Sequence, residues 1–293
     1  MNFGTHQALP APSAIVELLK PITWFPPMWA FACGVVSSGV MIGGSWSRIA
    51  LGVALAGPLV CGASQAVNDW YDRHVDAINE PLRPIPSGRI PGRWGLVIAI
   101  GWSLLSLAVA ASLGGIVPLA TCLGVALAWA YSAPPLRLKQ NGWWGNAACG
   151  LCYEGLAWVT GAALMLGEMP PQPILLLVLL YSVAAHGIMT LNDFKSVEGD
   201  LRMGVRSLPV QLGIEQSARV ACAVMIAPQV LVVALLAVWG APLHAAAIAV
   251  SVLLQAACMR RLLIDPHRYA PWYNATGISL LVTGMMIAAF AVR

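Results

Sequence analysis

Nine apolar runs, most of them close to the ~20 residues a helix needs to cross a bilayer, divide this chain, and no water-soluble fold can hide so many. They lie at 22–41, 48–67, 93–112, 115–133, 143–166, 172–190, 217–239, 242–264 and 271–291. The breaks between them carry turn formers: Gly43-Gly44, Gly114-Gly115, Pro134-Pro135, Pro170-Pro171, Gly240 and Pro266. Charged residues make up 10% of the chain, against about 25% in a soluble domain. That is too little charge to clothe a water-facing surface. Lipid offers no partner to an unpaired backbone group, so the runs must be helices. The expected fold class is an all-α integral membrane protein. Its nine transmembrane helices form a bundle around a central cavity, in one domain over residues 1–293.

The basic residues predict the orientation. With the N-terminus on the cytoplasmic side, fourteen of the 16 Lys and Arg fall on that side, leaving only Arg48 and Arg293 opposite. Inner loops enriched in Lys and Arg are the mark of a cytoplasmic face. The N-terminus lacks a signal-peptide layout, with Lys20 its only basic residue before the first apolar run. A net charge of +4 is too small to suggest a nucleic-acid partner. The seven cysteines sit mostly inside apolar runs and do not form a disulfide framework. Cys149 and Cys152 read as small packing residues rather than a redox or metal pair.

Two inner loops are long, 68–92 and 191–216, and they hold most of the acidic residues. The first opens Asn68-Asp69-Trp70-Tyr71-Asp72-Arg73-His74-Val75-Asp76. If the preceding helix continues, Asp69, Asp72 and Asp76 share one face. Three such carboxylates are either a solvated acidic turn or the ligands of a hard divalent cation such as Mg²⁺. The second loop opens Asn192-Asp193-Phe194-Lys195-Ser196-Val197-Glu198-Gly199-Asp200, with Asp193 and Asp200 again seven apart. Both loops follow Asn-Asp with an aromatic residue, then supply an arginine, Arg83 or Arg206, ahead of a proline-containing stretch. A shared layout in two separate loops argues for a pseudo-repeat facing one cavity.

A third inner loop, Tyr131-Ser132-Ala133-Pro134-Pro135-Leu136-Arg137-Leu138-Lys139, brings cations and hydroxyls but no acid. Carboxylate-bound metals together with converging Arg and Lys describe a diphosphate site. Asp69, Asp72, Asp76, Asp193 and Asp200 are the expected catalytic residues, and these with Glu198 the expected metal ligands. Asn68, Arg83, Tyr131, Ser132, Arg137, Lys139, Asn192, Lys195 and Arg206 are the expected substrate contacts. No Gly-x-x-x-x-Gly-Lys-Ser/Thr loop occurs, so nothing supports a nucleotide-driven pump.

The stretches Asn68–Gly88 and Asn192–Val210 resemble those of the UbiA-type intramembrane prenyltransferases, and the likeness covers nearly the whole chain. Within that superfamily they are similar to the chlorophyll and bacteriochlorophyll synthase branch, and the short N-terminus resembles its bacterial members. The resemblance implies Mg²⁺-dependent prenyl transfer, with two ions. The donor would be geranylgeranyl or phytyl diphosphate and the acceptor the propionate carboxylate of a bacteriochlorophyllide. It also implies a bacterial inner membrane, cytoplasmic or intracytoplasmic and photosynthetic, with membrane lipid around the chain and other pigment-biosynthesis or assembly proteins as associates. Many members carry Asp where Ser196 stands, so the second metal set would rest on Asp193, Asp200 and Glu198 or Asn192. Rival readings are a chlorophyllide acceptor, an aromatic acceptor, or a non-enzyme such as a transporter or a pigment-binding assembly protein.

Several intramembrane residues have two readings. Glu154 either faces the cavity or is a protonated packing residue bonded to Tyr153. His186 either ligates the pigment's central metal or packs. Trp143 and Trp144 either anchor at the interface or stack a tetrapyrrole. Gln65 is placed to line the cavity, and His74 reads as a loop side chain rather than a base.

Overall fold

The structure, a computed structural model, describes residues 9–293; the first eight, part of the stretch read as lacking a signal-peptide layout, lie outside the described residues. The chain is helical nearly throughout. A short α1 (Pro12–Leu18) precedes α2 (Phe25–Ser37), α3 (Trp46–Asn79), α4 (Trp94–Leu113), α5 (Val117–Ser132), α6 (Gly142–Leu166) and α7 (Gln172–Asp193). Two short helices, α8 (Val197–Met203) and α9 (Leu208–Leu212), lead to α10 (Ile214–Val238), α11 (Pro242–Leu262) and α12 (Pro266–Ala291).

Seven of these, α3, α4, α6, α7, α10, α11 and α12, are long and apolar enough to cross a membrane. The first and fourth expected spans correspond to the shorter apolar helices α2 and α5. At ~1.5 Å per residue, the 13 residues of α2 reach about 20 Å, less than a ~30 Å hydrocarbon core. Helix α3 is the opposite case. Its 34 residues span about 50 Å, so the turns bearing Asp72 and Asp76 extend well past one leaflet.

The helices form a ring. Successive pairs pack from α3 through α7, α7 packs on α10, α10 on α11 and α11 on α12, and α12 returns to α2. Lipid gives helices no hydrophobic reason to associate, so close approach and packing must supply the attraction. The α2–α6 seam shows how. Gly34 lies against the Trp158 carbonyl and Gly161 against the Phe31 carbonyl, so closely that a Cβ at either would strike backbone. Trp158 fills the same seam, with its indole Nε1 donating to Ser37 Oγ at 3.0 Å. Leucines at 104, 119, 243 and 253 remain outward, as a lipid-facing surface requires.

Two segments depart from α-helix by a widened turn: Leu55–Cys61 in α3, containing Pro58, and Leu151–Leu156 in α6, containing Glu154. They face one another across the cavity, where Tyr153 Oη accepts from Gln65 Nε2 at 3.0 Å and lies 3.5 Å from Cys61 Sγ. Tyr153 is thus committed to α3, and the Tyr153–Glu154 bond, one of the two readings of Glu154, does not form. Such widened turns reorient side chains and favour functional regions.

The two acidic loops differ locally. Helix α3 does continue through Asp76 to Asn79, as the carboxylate spacing requires. Helix α7 stops at Asp193, and the chain turns at Phe194–Ser196 before α8 begins. Asp193 and Asp200 therefore do not share a face of one helix, contrary to the seven-residue spacing argument. The turn is closed by Ser196 N donating to the Asp193 carbonyl at 3.0 Å.

Gly161→Leu is expected to force α2 and α6 apart. Overpacking of this kind costs about 1–3 kcal/mol, and the check is a lowered thermal-unfolding midpoint in detergent, with Gly124→Ala as a tolerated control because its Cβ meets nothing nearer than 3.7 Å.

Candidate active site

One end of the ring gathers the loops at 68–92, 131–141 and 191–206 around a polar chamber of about 600 Å³. Helix α3 turns Asn68, Asp72, Asp76 and Asn79 toward it, and the α7–α8 turn contributes Asp193, Lys195, Glu198 and Asp200. Tyr131, Arg137 and Lys139 close a third side. The loops are tied together by backbone. Gly142 N donates to the Arg206 carbonyl at 2.8 Å and Arg206 N to the Gln140 carbonyl at 2.9 Å. This short parallel bridge joins the cationic loop to the second acidic loop.

Charge in the chamber is balanced by position. Asp72 pairs with Lys139 Nζ at 2.5 Å and with Arg137 Nη2 at 3.5 Å. Burial lowers the Lys139 ammonium from its ordinary range, and the Asp72 charge only partly opposes this. Behind the chamber wall lies Asp69, 1% exposed, with Lys20 Nζ at 2.7 Å and Arg83 Nη1 at 3.3 Å on its Oδ1. Arg83 also holds Asp76 at 2.9 Å and Glu80 at 2.6 Å. Burial by itself would lower the Arg83 guanidinium, but Glu80, Asp69 and Asp76 outweigh it and raise it further. The same bond to Arg83 holds Glu80 below the ordinary carboxylate range.

The expected site residues separate into two shells. Asn68, Asp72, Asp76, Tyr131, Arg137, Lys139, Asp193, Lys195, Glu198 and Asp200 line the chamber. Asp69 and Arg83 stand behind it, and Ser132 is buried where it accepts from Asn68 Nδ2 at 3.4 Å. Asn192 turns away to accept from Asn274 Nδ2 on α12 at 3.0 Å. Arg206 does not line the chamber; its backbone N–H and carbonyl form the bridge to Gln140 and Gly142, while its neighbours Val205 and Ser207 reach the wall. Ser196 Oγ lies 3.0 Å from both the Asp193 carbonyl and Asp200 Oδ2, which it orients. Glu198 is at the mouth, paired with Arg202 at 2.6 Å.

Three contributors were not read as site residues from sequence. Lys20 entered only as a marker of orientation. Asn79 lines the chamber on the last turn of α3. Asn146, buried on α6, donates to Thr190 Oγ1 at 3.2 Å and lies 3.3 Å from Asp193 Oδ2. A lone amide in an apolar helix was the available signal for Asn146.

Among the described residues, no three His, Cys, Asp or Glu side chains converge closely enough to form a ready metal cluster. The donor chemistry nevertheless fits Mg²⁺. The groups facing the chamber are carboxylate and amide oxygens from opposite walls, and Mg²⁺ takes few carboxylates when phosphate supplies the remaining oxygens.

Below the chamber a narrower, apolar cavity of about 190 Å³ runs between α3, α5 and α6. Asn68 and Tyr131 border both spaces. Cys149 and Cys152, both free thiols, line it with Gln65, Gly124 and Met189. A further small pocket past Gly124 and Cys152 extends the path toward Ala120 and Thr160. A polar, cation-rich chamber opening onto an apolar passage fits a molecule with a polyanionic head and a hydrocarbon tail.

Asp69→Leu would take from Lys20 its buried partner and from Arg83 one of three. The expected result is a larger loss of thermal stability than for Asp72→Asn, measured side by side in detergent.

Residues 19–290 match the model of the UbiA prenyltransferase family. The chain is 56% identical to the bacteriochlorophyll synthase 33 kDa chain of Cereibacter sphaeroides, covering 100% of this chain and 97% of that one. It is 40% identical to the chloroplastic chlorophyll synthase of Arabidopsis thaliana, over 94% of this chain and 73% of that protein. The solved structure of a UbiA homologue from Archaeoglobus fulgidus bound to GPP and Mg²⁺ superposes with a TM-score of 0.74 at 20% identity, covering 95% of this chain and 99% of that one. With that fold shared and the family matched almost end to end, this chain belongs to the UbiA prenyltransferase family and is a membrane-embedded prenyltransferase.

Proposed function

We propose that this enzyme esterifies bacteriochlorophyllide, transferring a geranylgeranyl or phytyl group from the diphosphate to the pigment's propionate carboxylate. The observation that carries the reading is the end-to-end identity of 56% with the bacteriochlorophyll synthase chain, on a site whose two connected cavities suit an amphiphilic donor.

The residues divide the work. Lys139, Arg137 and Lys195 surround the diphosphate and neutralise the charge that builds as it leaves. Asn68, Asp72 and Asp76 on one wall and Asp193 and Asp200 on the other would hold Mg²⁺, as two ions, with Ser196 orienting Asp200. Bound there, Mg²⁺ would supply Lewis-acid stabilisation of the leaving diphosphate. Arg83 and Lys20 act from behind, fixing Asp69 and Asp76 so that α3 presents its carboxylates in one register. The prenyl chain lies along Gly124, Cys152 and Met189, where apolar walls keep water from the allylic carbon. The propionate oxygen forms the new C–O bond at that carbon as the bond to diphosphate breaks. A carboxylate is already deprotonated at neutral pH, so no general base is required.

The setting follows from the same reading. The chain spans a bacterial inner membrane with α2 and α5 completing nine crossings, and the chamber faces the cytoplasm. The pseudo-repeat relates the α3 and α7 acidic ends.

Asp72→Asn and Asp193→Asn are expected to lower Mg²⁺-dependent turnover by at least about a hundredfold, the scale of losing one charge-stabilising contact at a transition state. The assay supplies labelled geranylgeranyl diphosphate with bacteriochlorophyllide, chlorophyllide or hydroxybenzoate, and mass spectrometry of the ester reads the acceptor. Prenylation of hydroxybenzoate alone would overturn the assignment. Gly124→Phe should plug the passage and shift preference from geranylgeranyl to geranyl diphosphate, seen as a reversal in the ratio of their kcat/KM values.

A further inference from the structure

The turn from α11 to α12, residues 263–265, is flanked by charge that the transfer site does not use. Arg260, Arg261 and Arg268 fall within nine positions, and all three are exposed. Among the described residues, no carboxylate lies within ion-pair distance of any of them. Other exposed arginines are spent on acids: Arg89 on Glu17, Arg202 on Glu198 and Arg219 on Glu215. The acid of the turn itself, Asp265, uses its Oδ1 to accept from the Arg268 backbone N–H at 3.1 Å.

Two of the guanidiniums are positioned by aromatic rings. Arg261 lies 4.8 Å from the Tyr269 ring centroid and 4.7 Å from that of Trp272, and Arg268 lies 5.4 Å from Tyr269. Tyr269 and Trp272 meet edge to face with centroids 6.4 Å apart. A guanidinium over an aromatic face keeps its charge and its donor edge while losing motion. Two like charges drawn to one ring repel each other, and an anion accepting from both relieves that cost.

The place is the edge of the bilayer. Leu253 and Leu254 point outward from α11, and Arg260 and Arg261, each seven residues on, continue the same two rows. Counted from Pro242 at the other end of α11, the arginines stand about 28 Å along the helix, close to the depth of a ~30 Å hydrocarbon core. Leu263 and Ile264 are exposed between the charges. Tyr and Trp beside a basic turn are the composition of a membrane–water interface. A site for a free anion in water would have no use for the apolar flank.

We propose that this turn binds the phosphate of an anionic lipid headgroup. Arg261 and Arg268, set by Tyr269 and Trp272, take the phosphate oxygens; Arg260 adds charge, and Leu263 and Ile264 reach into the acyl boundary. Helix α12 runs on from the turn to Asn274, which donates to Asn192 next to Asp193. A lipid held at the turn thus anchors the helix that is bonded to the end of α7.

The test titrates the full-length protein in detergent with phosphatidylglycerol or with phosphatidylcholine of the same acyl chains. Native mass spectrometry reads bound lipid, and thermal unfolding reads its effect, since a ligand of the folded state raises the midpoint. Wild type should hold phosphatidylglycerol at least about tenfold more tightly, and its midpoint should rise with that lipid. The triple variant Arg260→Gln/Arg261→Gln/Arg268→Gln should lose both the preference and the rise. Arg89→Gln/Arg202→Gln/Arg219→Gln, which removes equal charge elsewhere, should keep both. Should the first triple variant not fold, Arg261→Gln alone should cut the preference at least about threefold. Equal binding of the two lipids by wild type, or a preference that survives in the folded triple variant, overturns the site. So does an equal loss in the control variant, or displacement of the lipid by excess inorganic phosphate.

Discussion

The pairing of Asp69 with Lys20 and Arg83 fixes the end of the bundle on which everything else depends. A buried carboxylate needs partners, and two cations, Lys20 49 residues away and Arg83 14 residues on, converge on this one. Arg83 then reaches on to Asp76 and Glu80, so one guanidinium spans two turns of α3 and the loop that follows. The result anchors the N-terminal segment, the polar end of α3 and the first acidic loop to one another. With that register set, Asp72 is left free to face the chamber, where Lys139 and Arg137 meet it.

The second half of the site is built more loosely. Helix α7 ends at Asp193, and a serine-closed turn brings Asp200 back toward the chamber. Asn146 supplies from α6 the contact that orients Asp193. The two walls are therefore unlike. One is a continuous helix braced by ion pairs, the other a helix end whose carboxylates are held by the uncharged donors Asn146 and Ser196.

Below the charged end, a mainly apolar passage lies beside the widened turns of α3 and α6 and adjoins the chamber. Tyr131 and Asn68 stand at the junction. Charge and dryness are thus separated by about one side chain, as a reaction needs when it creates a diphosphate anion at one atom and a water-sensitive carbon at the next.

Much of this was legible in the residues. Charge scarcity and apolar run length dictated a helical membrane protein, because lipid permits little else. The Asn-Asp openings and the cationic third loop pointed to the polar chamber that these loops line, since clustered carboxylates need cations. What the sequence could not decide was direction. Asp69 and Asp72 are three residues apart on one helix, yet one is walled in by Lys20 and Arg83 and the other faces the chamber. The helical-face argument failed outright for Asp193 and Asp200, because Ser196 closes a turn that periodicity does not reveal. Lys20, Asn146 and the Arg206 backbone bridge became parts of the site only through contacts across 49, 47 and some 65 residues of chain. Sequence by itself determined the solvent, the helices and the kind of chemistry, all of which follow from local composition. Tertiary structure alone decided which carboxylates brace and which face the chamber, because that depends on where the cations come to rest.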